Sequence, residues 1–482
     1  MRGSGTFVGQ PNGLATLFFT EMWERFTYYG MRSVLILFLV GAVSTGGLGF
    51  DDQTASSIYG LYICATYLFS LLGGWIADRL IGPQRAVIAG SVLIFAGNAL
   101  LALGQREVFF VGLLVIVLGV GLLKPNISVM VAQLYPEGGS RRDAGFSIFY
   151  TGISVGAVLG SFLVSLCAAR YGWRAGFTLP ALGMLLGLGY FLLTRQRLVD
   201  SNIAVPRDVK SWLPVIILVL AVAALAALAV AGRLTIDPAA VSSAASWFLG
   251  LLAAGYFLYL LVFAGLAAAE RRRVYVMIVL FVAYATFYAG FEQGGASMNL
   301  FAERYTDRQL FGWSFPAGIL QGATAFYTIL LAPVFAALWL ALGKRGRDLS
   351  PPAKFASGLV LLSVGTLVMV VPSESVAAGH RVLPVWLLVT YLLQECGDLC
   401  LSPVGLSSMT KLAPPRYVSQ VMGVWFLALA LGNNLAGQLS RQYDSTNLDS
   451  LPALFLKIFW WSLGAAIVLY ALSPRLARLM QN

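Results

Sequence analysis

A chain of 482 residues that is 59% hydrophobic and 11% charged is not an ordinary soluble protein, in which about a quarter of residues are charged. It has the balance of a polytopic membrane protein. The formal net charge of +11 would suit nucleic acid, but the basic residues lie in short clusters between apolar runs, as cytoplasmic loops require, and a nucleic-acid partner is excluded.

Apolar runs long enough to span a bilayer fall near 14–42, 55–77, 84–104, 108–134, 145–168, 174–194, 211–232, 246–268, 274–298, 315–342, 355–372, 382–409, 415–438 and 452–473. They are continuous rather than alternating, so the expectation is an all-α protein with fourteen transmembrane helices and not a β-barrel. No short apolar stretch ending in a small-residue cleavage site precedes Leu14, and no cleaved leader is expected. The runs at 211–232 and 246–268 hold no Asp, Glu, Lys, Arg or His and are bracketed by Arg195–Lys210 and Arg271–Arg273. They read as a lipid-facing pair inserted between two six-helix halves. The expected organisation is a six-helix bundle over 1–195, a linker with two inserted spans over 196–272, and a second six-helix bundle over 273–482. Most Lys and Arg residues fall at the ends that are cytoplasmic when the N-terminus is inside, which predicts a multi-pass protein of the cell inner membrane with both termini cytoplasmic.

The first run carries Glu21, Glu24, Arg25 and Arg32 among Leu, Phe and Val. Each such charge costs about 2.5–3.5 kcal/mol at membrane depth on insertion scales, so four of them on one span imply a use. Helical spacing sets Glu21, Glu24 or Arg25, Tyr28 and Arg32 on one stripe, the wall of a polar pathway. Lys124 lies in the middle of the fourth run, beside Pro125, which frees backbone groups that need a partner. Glu292 and Asp398 are the corresponding acids of the second half; Glu395, one turn from Asp398, could also face inward but is expected as a helix-end or solvated residue. Cations in one half and acids in the other suit a two-state gate. The same groups suit a cargo carrying both a carboxylate and an ammonium.

Other patterns carry little. The four cysteines lie in apolar context and the single histidine, His380, sits beside Arg381 in a loop, so neither a metal centre nor a histidine relay is expected. Gly152-Ile-Ser154-Val-Gly156 matches a hydrolase nucleophile pattern without a strand–turn–helix around it, and glycines 152, 156 and 160 read instead as a helix-packing stripe. No phosphate-cradling loop is present, which disfavours ATP-driven transport.

Gly73-Gly-Trp-Ile-Ala-Asp78-Arg79-Leu-Ile-Gly82 resembles the loop signature of the major facilitator superfamily. Several further segments together resemble the proton-dependent oligopeptide transporter family. They are Glu21-x-x-Glu24-Arg25-Phe-Thr-Tyr28-Tyr29-Gly30-Met-Arg32, Leu123-Lys124-Pro125-Asn126, Phe149-Tyr150-Thr-Gly-Ile-Ser154, Phe291-Glu292-Gln293 with Asn299, and Leu399-Cys400-Leu-Ser402-Pro403-Val-Gly405. Fourteen helices with two between the halves is similar to the bacterial branch.

The resemblance implies a proton-coupled symporter importing di- and tripeptides by alternating access, with protons as the coupling ion and no cofactor. It implies proton coupling by Glu21, Glu24, Arg25 and Glu292. Arg32 and Lys124 are implied to take the peptide carboxylate and Asp398 the amino group. Tyr28, Tyr29, Tyr67, Ser154, Tyr288, Thr324, Ser402 and Trp425 complete the pocket. The implied gating salt bridges are Arg32 with Glu292 and Lys124 with Asp398. Asp398 stands where the family usually has glutamate, Ser154 and Thr324 where it has asparagine, and Tyr288 where tryptophan is common, which bears on how the amino end is held. A monomer in the lipid bilayer is expected. A carrier of nitrate or another small anion or zwitterion, a channel and a non-transporting nutrient receptor are the alternatives; a membrane enzyme lacks a catalytic set.

Overall fold

The computed structural model describes residues 6–136, 139–198, 209–230, 237–445 and 447–481. Arg2, Arg207 and Arg233, three of the basic residues that set the expected orientation, lie outside the described residues, as do parts of the 196–272 linker. The helices are α1 (Gly13–Val40), α2 (Asp52–Ile76), α3 (Pro83–Ala102), α4 (Arg106–Gln133), α5 (Gly139–Tyr171), α6 (Trp173–Thr194), α7 (Val209–Val230), α8 (Pro238–Val262), α9 (Ala268–Phe291), α10 (Ser297–Tyr305), α11 (Gly322–Lys344), α12 (Pro351–Val368), α13 (Val370–Ala377), α14 (Val385–Leu412), α15 (Val418–Ser440) and α16 (Ser450–Gln481). Among the described residues all but α10 and α13 are at least 18 residues long, which gives the fourteen long helices read from the apolar runs. Among the described residues eleven spans meet both length and apolarity for crossing a membrane; α1 carries its four charged side chains along the same length.

The boundaries differ from the apolar runs where capping decides. Helix α8 starts at Pro238, well before the expected 246, because the Asp237 side chain accepts the Ala239 N–H at 2.9 Å and proline fits the first turn. The run at 274–298 is not one helix. It breaks after Phe291 into a 3₁₀ turn over Glu292–Gly295 before α10 begins. Helix α2 runs into a π-helical turn, Ala77–Ile81, that Gly82 ends at φ 81, a conformation that side chains rarely adopt.

Contacts divide the chain into two compact units, one of residues 1–49 and 65–236 and one of residues 50–64 and 237–482. In the first, α1 packs on α5 and α6, and α3 on α4 and α6. The glycine stripe of α5 lets this happen. A Cβ on Gly152 would meet the Phe18 ring, one on Gly156 the Met22 carbonyl and one on Gly160 the Phe26 carbonyl, so α5 lies directly against the backbone of α1. The Ser154 pattern is therefore helix interior, with no elbow.

In the second unit α12 packs on α14 and α16, α9 on α15 and α16, and α11 on α14. The first turns of α2 belong here. Asp52 receives both Arg304 terminal nitrogens, at 2.8 and 2.7 Å, and the Ser445 hydroxyl at 2.8 Å. Helix α8, of the inserted pair, is held to its unit by one polar face. Asn434 of α15 donates to the Ser242 carbonyl at 2.6 Å and to Ser246 at 2.8 Å, and Gln438 donates to Ser246 at 2.8 Å. A polar ladder, unseen in an Ala/Leu-rich run, docks α8 on α15. Outside that face Trp247, Phe248 and Leu251 are exposed.

Candidate functional site

The first unit assembles its charges on α1. The Arg25 Nε lies 3.0 Å from Glu21 Oε1 and also contacts a Glu24 oxygen, and all three side chains are 4% exposed or less. Two carboxylates and one guanidinium leave a formal charge of −1 inside the helix packing. Such a cluster is retained only if a proton or a further cation completes it. Glu21 also feels the charge of Lys124. The Gly156 contact brings α5 to the Cβ of Arg25, which closes the cluster from water.

Along α1 the Arg25 guanidinium lies 5.1 Å from the Tyr28 ring centroid, Tyr28 meets Tyr29 edge-on at 5.2 Å, and Arg32 lies 5.7 Å from the Tyr29 ring. The Lys124 ammonium sits 3.9 Å from the ring of Tyr67. These aromatic faces attract the cations through their ring quadrupoles. Pro125 does not break α4. Asn126 donates to the Leu122 carbonyl at 2.7 Å and to Gly73 O at 3.3 Å, and a Cβ on Gly73 would strike the Gly121 carbonyl that Pro125 leaves without its N–H. The four-residue motif thus keeps Lys124 on an intact helix. Ser154 is buried on α5.

The second unit assembles an acid and hydroxyls. Asp398 Oδ1 accepts the Tyr288 hydroxyl at 3.0 Å and the Ser402 hydroxyl, and Tyr284 and Tyr288 each lie 3.3 Å from Ser402. Tyr284 stacks on Trp425 at 4.0 Å, and Trp425 leans on Phe355 at 6.2 Å. Gly405 leaves room for the indole, since a Cβ there would run into it. Thr324 is half-buried and bonds the Gln321 carbonyl at the start of α11.

Glu292 is 5% exposed and opens the 3₁₀ turn. That break is propped by Gln293, which donates to the Ala289 and Ala436 carbonyls at 3.1 and 3.0 Å and accepts from Ser297 and Ser440 at 2.6 and 2.7 Å. All of its amide capacity for these partners is spent on fixing the turn that carries Glu292.

Glu395 is the clear correction. It is not at a solvated helix end but mid-α14, 3% exposed, with Oε1 2.6 Å from the Thr328 hydroxyl of α11. The approach of α11 buries it, which spacing along α14 alone does not reveal. Thr328 and Tyr284 were also missed, although each sits one turn from a residue that was singled out, Thr324 and Tyr288. Of the expected gating pairs, Arg32 and Lys124 belong to one unit and Glu292 and Asp398 to the other. Among the described residues no group of three or more His, Cys, Asp or Glu side chains could hold a metal ion.

The model of the POT family matches residues 84–457. The peptide transporter YePEPT of Yersinia enterocolitica is 40% identical over 498 residues, covering 100% of this chain and 97% of the relative. A di-/tripeptide transporter of Lactococcus lactis is 34% identical over 458 residues, covering 91% of each. Among solved structures, the crystal structure of a peptide transporter POT in complex with sulfate superposes with a TM-score of 0.91 at 39% identity, covering 99% of this chain and 97% of that one. A family match over most of the length, relatives similar from end to end and a shared fold at this identity agree with the helices and buried charges described above, and the chain belongs to the POT family of multi-pass membrane transporters.

Proposed function

We propose that this protein is a proton-coupled symporter that brings di- and tripeptides into a bacterial cell by alternating access. It works as a monomer in the inner membrane with both termini cytoplasmic, and its halves are the bundles 1–195 and 273–482 with the 196–272 insert between them. The observation that carries the coupling is the Glu21–Arg25–Glu24 cluster, buried with a formal charge of −1. A proton taken up there removes the charge; a proton lost restores it. That changes the cost of enclosing α1 in a low-dielectric setting, which is the condition for a proton to bias one state over another.

The cargo follows from the chemistry of each unit. Arg32 and Lys124, held by ring faces, are suited to a carboxylate, with Tyr28, Tyr29, Tyr67 and Ser154 beside them. Asp398 is suited to an ammonium, with Tyr288, Thr324, Ser402 and Trp425 as its setting. Arg32 with Glu292 and Lys124 with Asp398 are the charges that change partner during the cycle. A purely anionic cargo gives Asp398 no role. The inward drive is substantial, since one charge moving through 100 mV is worth about 2.3 kcal/mol.

The test is uptake of dialanine into proteoliposomes with an imposed proton gradient. Glu21→Gln is expected to abolish uphill accumulation while leaving peptide exchange across the membrane. Accumulation at the wild-type rate in that variant refutes the coupling role.

A further inference from the structure

The buried acid that the transport reading does not use is Glu395. It sits three residues before Asp398 on α14, so the two residues are about 4.5 Å apart along the helix axis and share one side of it. They interact electrostatically. Among the described residues no Lys or Arg forms an ion pair with either. The elements packed on α14 explain why. Helix α9 presents the phenols Tyr284 and Tyr288, α11 presents Thr328, and α15 presents Trp425. Helix α12 presents Lys354, whose ammonium is bound to Asp348 at 2.8 Å and acts on Cys400 rather than on either acid. Cys396 and Cys400 of α14 are the remaining titratable neighbours.

Two carboxylates sharing a site without a cation do not both ionise. The hydrogen bonds say which one yields. Asp398 accepts two hydroxyl protons, from Tyr288 and Ser402, which favours its anion. Glu395 has a single partner, Thr328, and the Thr328 oxygen is also 3.0 Å from the Thr324 carbonyl, which can only accept. One hydroxyl proton cannot serve both acceptors; a proton on Glu395 satisfies the second contact.

We propose that Glu395 is a second proton-binding site of this transporter, loaded together with the ammonium that Asp398 receives. The inference rests on the peptide-symport reading. With neither proton nor ammonium the pair carries −2, with one of them −1, and with both it is neutral. Enclosing the pair in a dry state therefore favours the doubly loaded form, which is the rule a symporter needs. After the peptide leaves, water enters the open site and screens the two carboxylates, and the proton is then released.

The experiment measures the proton-to-peptide ratio and the steady-state accumulation of dialanine in proteoliposomes clamped near 100 mV. Glu395→Gln keeps the neutral shape and is expected to transport with one proton fewer per peptide, so that accumulation at that potential falls ~50-fold, the worth of one elementary charge. An unchanged ratio in a variant that still exchanges dialanine overturns the proposal. If Glu395→Gln does not fold, Thr328→Val decides. It removes the one donor to the Glu395 anion, so the alkaline limb of the uptake profile is expected to move to higher pH with the ratio unchanged; a superimposable profile overturns the proposal. A wild type that fails to exchange dialanine removes the transport reading itself, a separate outcome.

Discussion

The α1 cluster and the α14 pair solve the same problem by opposite means. Both bury two carboxyls within one helical turn in a membrane-spanning helix. On α1 an arginine sits between them, and the cluster is closed by the backbone of α5 pressed against it. On α14 no cation among the described residues forms an ion pair with the acids, which are met by tyrosine, serine and threonine hydroxyls instead. The first arrangement ties charge to the fold, because removing the cation strands two anions. The second leaves charge adjustable, because hydroxyls serve either protonation state.

The contrast can be broken most forcefully at Arg25. Arg25→Met is expected to destabilise the protein by about 3–5 kcal/mol, the cost of leaving buried charge unpaired, read as a large drop in melting temperature in detergent. Adding Glu21→Gln and Glu24→Gln to it is expected to recover most of the loss. Full stability of Arg25→Met alone would mean that α1 does not depend on its ion pair. Next comes Ser402→Ala, which deletes one of two donors to Asp398. A hydrogen bond to a charged group is worth about 1.5–3 kcal/mol, and the loss is expected at neutral pH and to shrink in acid, where a protonated Asp398 no longer needs that donor. A pH-independent loss contradicts an ionised Asp398. Gly156→Ala is expected to cost about 1–3 kcal/mol by overpacking, since its methyl meets the Met22 carbonyl and lies 3.0 Å from the Arg25 Cβ; the same melting measurement checks it. The smallest effect is expected outside both clusters. Asp237→Ala removes the cap of α8 and is expected to cost about 1 kcal/mol, with transport unchanged.

Much of the α1 site was legible because charge inside a long apolar run stands out against its neighbours. Glu21, Glu24, Arg25 and Arg32 advertise themselves, and the glycine spacing of α5 announces a close partner. Asp398 was legible for the same reason. Glu395 was not, since an acid flanked by Gln394 and Cys396 reads equally as a solvated turn, and only the arrival of Thr328 from a helix about seventy residues upstream buries it. The ladder from α15 to α8 was hidden likewise, because Ser242 and Ser246 are unremarkable until Asn434 and Gln438 face them. The break at Glu292 escaped detection because apolarity continues through it; what bends the chain is the bonding of one amide, Gln293, to two carbonyls and two hydroxyls.

The bare face of α5 has a consequence for fidelity. Where Gly152, Gly156 and Gly160 press on α1 there is no gap for a file of solvent molecules, so ions have no shortcut past the arginine. A bulky side chain on that face is expected to wedge the two helices apart and admit such a file. The outcome would be slippage, current flowing with nothing carried, and the stripe is in that sense the gasket of the machine.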